Sequence, residues 1–215
     1  MTRSRTVFEV ESEMSGRVRV VDYRTERRLI VGGDIQSVYP LDGNWARVQE
    51  EYWWRALTLA PPRSTALLIG LGGGTQVHLL RQLSRPQLIT VIERDPVIVR
   101  VACRWFGLDD IGGLEFLCGD AERVVPALSA AGRTFDFVME DAAYAEPPER
   151  AVPLARAVVP LVATHGRLVI NRHRRGDAHR LVGAMRRRFR HVRLRHVRRG
   201  GENVLICCLE PREQA

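Results

Sequence analysis

Three carboxylates, Glu93, Asp120 and Asp141, each end a short apolar run, and all three follow a glycine cluster. The cluster reads GLGGG, with Gly70, Gly72, Gly73 and Gly74 between the strand-like ALLI and the helix-patterned TQVHLLRQLS. Glycines there can take backbone angles closed to other residues and let a ligand approach the main chain. Thr75 stands at the third glycine position of a Gly-x-Gly-x-x-Gly fingerprint, so the dinucleotide pattern is incomplete. Glu93 lies 19 residues after Gly74, where a carboxylate can accept hydrogen bonds from both hydroxyls of a ribose. Asp120, in CGDA, can meet the exocyclic amine of an adenine, with the N–H of Ala121 beside it. Asp141 closes FDFVMED, with Glu140 next to it. One such acid reads as a solvated strand end or a helix cap. Three in series after a glycine loop read as a nucleoside site. Acids in place of phosphate-binding Lys or Arg suit a cationic sulfonium nucleoside better than a pyrophosphate.

These residues need a scaffold that brings strand ends together. From Ala66 onward, apolar strand patterns alternate with helical ones, which predicts a mostly parallel sheet covered on both faces. Strands are expected at ALLIGL, QLITVIE, LEFLCGD, FDFVMED and GRLVIN. HVRLRHVRRGGENVLICCLE is expected to add an antiparallel hairpin turning at its Gly-Gly pair. The fold class is therefore α/β, a Rossmann-like, mostly parallel seven-stranded sheet with a C-terminal antiparallel hairpin. In such sheets ligands bind outside the carboxyl ends of the strands. Residues 1–60 form a separate small β-hairpin unit with one helix. GRVRVVDY and RRLIVGGD are its strands, IQSVYP continues the second past a bulge, and WARVQEEYWWRALTL is the helix. Residues 61–215 form the catalytic domain.

Composition limits the partners. The formal net charge is +8, and all 33 basic residues are Arg. Twelve of them lie between Arg172 and Arg199 with one acid, Asp177, so that segment carries +11 and the remainder −3. An anionic partner at Arg172–Arg199 is one reading; a solvated Arg-rich helix face is the other. Neither a secretory leader nor an apolar run of about 18 residues is visible, so a cytoplasmic chain without a membrane span is expected. Cys103, Cys118, Cys207 and Cys208 sit in apolar patterns and read as reduced core thiols. No His or Cys spacing suggests a metal, and no G-x-S-x-G or P-loop Lys suggests a hydrolase or NTPase.

Together these motifs resemble the polyamine aminopropyltransferase (spermidine synthase) family, within the class I methyltransferase-like superfamily. RRLIVGGDIQS resembles the family's N-terminal hairpin and places Gln36 at a nucleoside contact. VQEEY resembles its Tyr-Gln-Glu motif, with Gln49 and Glu50 retained on the substrate side and Val48 in place of Tyr. LLIGLGGG, VIERDP, CGDA and FDFVMED match the nucleoside-binding series. The resemblance implies transfer of an aminopropyl group from decarboxylated S-adenosylmethionine to an amine, in a homodimer. It makes Glu93 the ribose ligand, Asp120 the adenine-side acid and Asp141 the catalytic carboxylate. Two departures stand out. Gly73 occupies the position of an acid that holds the donor's ammonium, and Tyr144 occupies that of a second, amine-holding Asp. An atypical acceptor is therefore expected, with Tyr144 near it. A methyltransferase using intact S-adenosylmethionine is the alternative. A non-catalytic protein that retains the fold and binds an anionic partner is another, and a nicotinamide dehydrogenase is the weakest.

Overall fold

The computed structural model describes residues 4–59, 64–142, 147–173, 178–197 and 202–212. β1 (Arg5–Ser12), β2 (Gly16–Asp22), β3 (Glu26–Val31) and β4 (Asp34–Pro40) form an antiparallel sheet in that order. Period-two patterning turns Val18 and Val20 inward and leaves Arg17 outside. Four strands stand where two were expected. Gly32 and Gly33, at φ +59° and +100°, close a two-residue turn between Val31 and Asp34. Positive φ at both positions is what that hairpin demands, so Ile35–Pro40 returns as a separate strand rather than continuing past a bulge. β1 has mostly exposed and half-buried positions, which leaves it little apolar pattern to read. The expected helix is also divided, into a 3-10 turn at Trp45–Val48 capped by Asn44 and α1 at Tyr52–Leu59.

The second sheet follows the predicted alternation: β5 (Thr65–Ile69), α2 (Thr75–Leu83), β6 (Leu88–Glu93), α3 (Pro96–Phe106), β7 (Leu114–Cys118), α4 (Ala121–Ala130), β8 (Phe135–Glu140), α5 (Pro148–Val158), β9 (Val162–His173), α6 (Ala178–Arg186), β10 (Phe189–His196) and β11 (Asn203–Pro211). The strand order is β10-β11-β9-β8-β5-β6-β7, with β5 to β9 parallel and β11 antiparallel between β9 and β10. The seven-stranded α/β architecture is as expected. Its strand order reverses between β5 and β8, which places a crevice at their carboxyl ends.

One core layer unites Val18, Leu29 and Trp53 with Leu68, Val91 and Phe106; the other joins Val138 and Ile170 to Leu154, Leu181 and Phe189. The two expected units thus have separate sheets but share the first core. Polar ties reinforce that seam. Ser12 Oγ donates to Asp95 Oδ2 at 2.5 Å, both groups being buried. Arg27 Nη1 donates to the Trp105 carbonyl at 2.6 Å. The Thr75 hydroxyl accepts from Val38 N–H at 3.1 Å and donates to Val38 O at 2.9 Å. The fingerprint's missing third glycine is therefore a threonine that fastens β4 to the start of α2.

The Arg-rich segment is not one helix face. Arg172 is buried in an ion pair with Glu140 at 2.5 Å. Arg180 and Arg186 lie on α6, and Arg190, Arg193 and Arg195 on β10, all exposed. β10 ends the sheet, and charge on an edge strand discourages edge-to-edge pairing. Cys207 and Cys208 are buried as expected and Cys103 is half-buried, but Cys118 is exposed at the end of β7. The hairpin's Gly-Gly turn lies outside the described residues. No helix among them is long and apolar enough to cross a membrane.

Candidate active site

The crevice is a cleft of about 860 Å³ lined by the ends of β5, β6, β8 and β9, the starts of α2 and α4, and the rim of the N-terminal sheet. Gln36, Gly70, Gly72, Glu93, Asp120, Ala121 and Asp141 all line it. The structure thus brings together residues that lie far apart in the chain. Gly73, Gly74, Gln49 and Glu50 are not on its wall. Gln49 and Glu50 are exposed, with Glu50 paired to Arg55 at 2.5 Å. Tyr144 lies outside the described residues.

The glycines divide by what crowds them. Gly70 has φ +98° and meets the backbone at Asp141 and Ala142. A Cβ on Gly72 would come within 2.7 Å of Ser37 Oγ and 3.0 Å of Gln36 O. A Cβ on Gly73 would meet Ser37 at 3.0 Å and Phe106 at 3.1 Å, and one on Gly74 would meet Leu108 at 2.7 Å. Gly73 N–H donates to Ser37 Oγ at 2.7 Å. The loop therefore makes room for protein, the docked β4 and the end of α3, as well as for a ligand.

Glu93 ends β6 with each oxygen anchored. Oε2 accepts from Leu71 N–H and Oε1 from Asp95 N–H, both at 3.0 Å. Burial raises its carboxyl above the usual range, against those two hydrogen bonds. Each carboxylate oxygen has further acceptor capacity, which suits a vicinal diol. Asp120 caps α4 by accepting from Glu122 N–H at 3.0 Å and stays exposed on the cleft wall. It serves as a helix cap and can serve a ligand with its remaining lone pairs.

Asp141 lies at the carboxyl end of β8. Tyr52 OH donates to its Oδ2 at 2.8 Å and Asn171 Nδ2 to its Oδ1 at 2.7 Å. Asn203 Nδ2 in turn donates to Asn171 Oδ1 at 3.1 Å. Burial pushes the Asp141 carboxyl up to about 7, Asn171 and Tyr52 oppose that rise, and Glu140 adds to it. The sequence reading missed Tyr52, Asn171 and Asn203. Tyr52 lies within the expected helix WARVQEEYWWRALTL, and Asn171 ends the expected strand GRLVIN. The register of β8 with β9, Glu140 opposite Ile170, is the signal that puts Asn171 beside Asp141. Nothing local predicts Tyr52.

Among the described residues, six carboxylates line the cleft, Asp34, Glu93, Asp120, Glu122, Asp141 and Glu202, against two guanidiniums, Arg94 and Arg150. Arg150 is itself paired with Glu122 at 3.3 Å. In a chain of net charge +8, an acidic cleft favours a cationic ligand. No cluster of three or more metal-ligating side chains occurs among the described residues.

No family profile matches the chain. It is 30% identical over 156 residues to the eEF1A lysine and N-terminal methyltransferase of Danio rerio, covering 67% of this chain and 23% of that protein. It is 30% identical over 86 residues to the polyamine aminopropyltransferase of Vibrio vulnificus, covering 40% of this chain and 29% of the relative. The chain thus spans less than a third of either relative. The spermidine synthase of Thermotoga maritima superposes with a TM-score of 0.70 at 13% identity, over 95% of this chain and 72% of that one. Human methyltransferase-like protein 13, solved with SAH, superposes with a TM-score of 0.59 at 20% identity, over 79% and 83%. The expected resemblance is thereby borne out, and the fold is one that spermidine synthases share with S-adenosylmethionine-dependent methyltransferases. These relatives are transferases.

Proposed function

We propose that the protein transfers an alkyl group from an S-adenosylmethionine-type sulfonium nucleoside to an amine. The observation that carries this reading is Asp141, held by Tyr52 and Asn171 in an acidic cleft that also presents Glu93 and Asp120. The residues fit the donor by their chemistry. Glu93 has acceptor capacity for both ribose hydroxyls, Asp120 and the Ala121 N–H would hold the adenine, and Gly70 and Gly72 leave space at the main chain. The donor supplies an electrophilic carbon beside a positively charged sulfur, whose C–S bond breaks as the amine nitrogen bonds to that carbon.

The chain's own groups prepare the nucleophile. An amine attacks only when uncharged, so its proton must go to a base within reach. A carboxyl near neutrality accepts that proton without being permanently neutral itself. Tyr52 and Asn171 each donate to one carboxylate oxygen, which fixes its plane and leaves the outward lone pairs for the acceptor. Holding amine and base in one cleft replaces an encounter in solution with a positioned one.

Two donors fit this chemistry. Aminopropyl transfer from the decarboxylated nucleoside is supported by the superposition over 95% of the chain, which has to include most of the N-terminal sheet. Methyl transfer from the intact nucleoside is supported by the Danio rerio relative, whose name specifies lysine and N-terminal methylation, and by Gly73, where no acid awaits an ammonium. In both, the acceptor is an amine. Incubation of the protein with each donor and a panel of amines, polyamines and lysine peptides tests the reading. The expected product is methylthioadenosine from the first donor or S-adenosylhomocysteine from the second. Absence of both across the panel would falsify it.

A further inference from the structure

Between Arg186 and Arg195 the chain carries six arginines, Arg186, Arg187, Arg188, Arg190, Arg193 and Arg195, and no Asp or Glu. α6 ends at Arg186 and β10 begins at Phe189, and β10 is an edge of the second sheet. All six are exposed. Side chains on a strand alternate between its two faces. Val192 and Leu194 pack into the core layer that holds α6, so Arg193 and Arg195 take the other face, opposite Cys207 and Leu205 of β11. The fold thus wraps positive charge around the edge from both sides. Arg212 joins it, its N–H donating to Arg188 O at 2.7 Å and its Nε to Phe189 O at 3.3 Å.

This band is not neutralised. Exposed arginines elsewhere have acids: Arg17 pairs with Glu9, Arg47 with Asp42 and Arg150 with Glu122. Among the described residues none of the six forms an ion pair. The acid beside the band, Glu210, lies 3.9 Å from His191. Protection of an edge strand explains charge of either sign on β10. It does not explain a run of one sign, whose members repel one another.

The chemistry of the band selects among polyanions. Guanidinium forks match phosphate oxygens two at a time. The exposed large apolar residues, Met14, Ile35, Leu41 and Leu83, lie elsewhere, so the band has no wedge to bury in a bilayer. Its one Phe, Phe189, is buried, so the bases of a single strand find no aromatic platform of Phe, Tyr or Trp. A duplex keeps its bases inside and its phosphates outside. The stretch from Arg190 to Arg195 is about 17 Å long, which spans about five phosphates of one strand.

We propose that this edge binds the phosphate backbone of duplex nucleic acid, without sequence preference. One end of the band adjoins the cleft, since His196 pairs with Val204, next to Asn203 on the cleft wall. A bound duplex lies beside the cleft rather than in it. The proposal does not rest on the transferase reading, and none of these arginines belongs to that machinery.

Fluorescence anisotropy with a labelled DNA duplex tests it. The wild-type Kd is expected to rise about 10²–10³-fold between about 50 and 200 mM salt, the dependence for four or five phosphate contacts. Arg190→Gln/Arg193→Gln/Arg195→Gln is expected to weaken binding about tenfold or more at low salt and to lower the salt slope by about three. Arg186→Gln/Arg187→Gln/Arg188→Gln, at the helix end, is expected to act in the same direction without altering β10. Arg100→Gln/Arg123→Gln/Arg156→Gln removes the same net charge from exposed positions elsewhere and is expected to leave binding within about twofold, since distant charges are screened. Thermal melts confirm that each variant is folded. Absence of wild-type binding at low salt overturns the proposal. So does an equal loss in the control variant, or tighter binding of the single strand, of phosphatidylglycerol vesicles or of polyglutamate than of the duplex.

Discussion

Glu140 and Asp141 are neighbours in sequence, yet they occupy opposite sides of the same pair of strands. Towards α5, Glu140 is fully buried and pairs with Arg172, whose Nη1 also donates to Asn171 O at 2.7 Å. Towards the cleft, Asp141 takes neutral donors, Tyr52 and Asn171, and its carboxyl is pushed up to about 7. A full positive partner holds one carboxylate in a buried ion pair. Neutral partners leave the other able to gain and lose a proton near neutral pH. The same two strands thus supply a rigid support on one face and a titrating group on the other.

Asp141→Asn is the strongest way to break this contrast. It is expected to lower kcat by about 10²–10⁴-fold, the range for loss of a general base, with methylthioadenosine affinity nearly unchanged by calorimetry. In the wild type the transfer rate is expected to rise as pH climbs through about 7, the value to which Asp141 is raised. Stability runs the other way. A carboxyl raised above its unfolded value of 3.8 contributes stability that is full below that value and lost as pH rises through about 7. Asp141→Asn is therefore expected to melt higher than the wild type at pH 8, a result that separates a strained functional acid from a structural one.

Arg172→Met tests the other face. Leaving Glu140 buried without its cation is expected to cost about 3–5 kcal/mol in denaturant unfolding, while the double change Glu140→Leu/Arg172→Met recovers most of it. A neutral single mutant would show that the pair does not support the site. Tyr52→Phe sharpens the comparison with a smaller effect. It removes one of the bonds that lower the Asp141 pKa, so the inflection of the pH–rate profile is expected to move upward, with a severalfold loss of rate at pH 7. At the seam the expected effect is on stability. Ser12→Ala removes the bond to Asp95 and is expected to cost about 1–3 kcal/mol, because the remaining carboxylate is buried; thermal melts with and without nucleoside read it.

Much of the second sheet is legible in the sequence because its patterns are local. Apolar runs ending in Glu93 and Asp141 are strands, and parallel strands deliver their carboxyl ends to one edge. The N-terminal sheet was only half legible. Gly32-Gly33 reads equally as a bulge or a turn until the strand beyond it is seen to return, and β1 has too few buried positions to announce itself. The Arg count misled in one respect, since formal charge does not reveal that Arg172 is buried against Glu140.

The chain's own pattern determined the α/β fold, the crevice and the three strand-end acids, because strand–helix alternation and the topology of parallel sheets leave few other arrangements. Tertiary structure alone decided what those acids do. Tyr52 reaches Asp141 across 89 positions, β4 crowds Gly72 and Gly73 from more than 30 positions away, and Gln76 is left without a partner by the way these pieces close. Local sequence sets backbone geometry. Proton affinity and ligand choice depend on burial and on distant partners, and those exist only once the chain has folded.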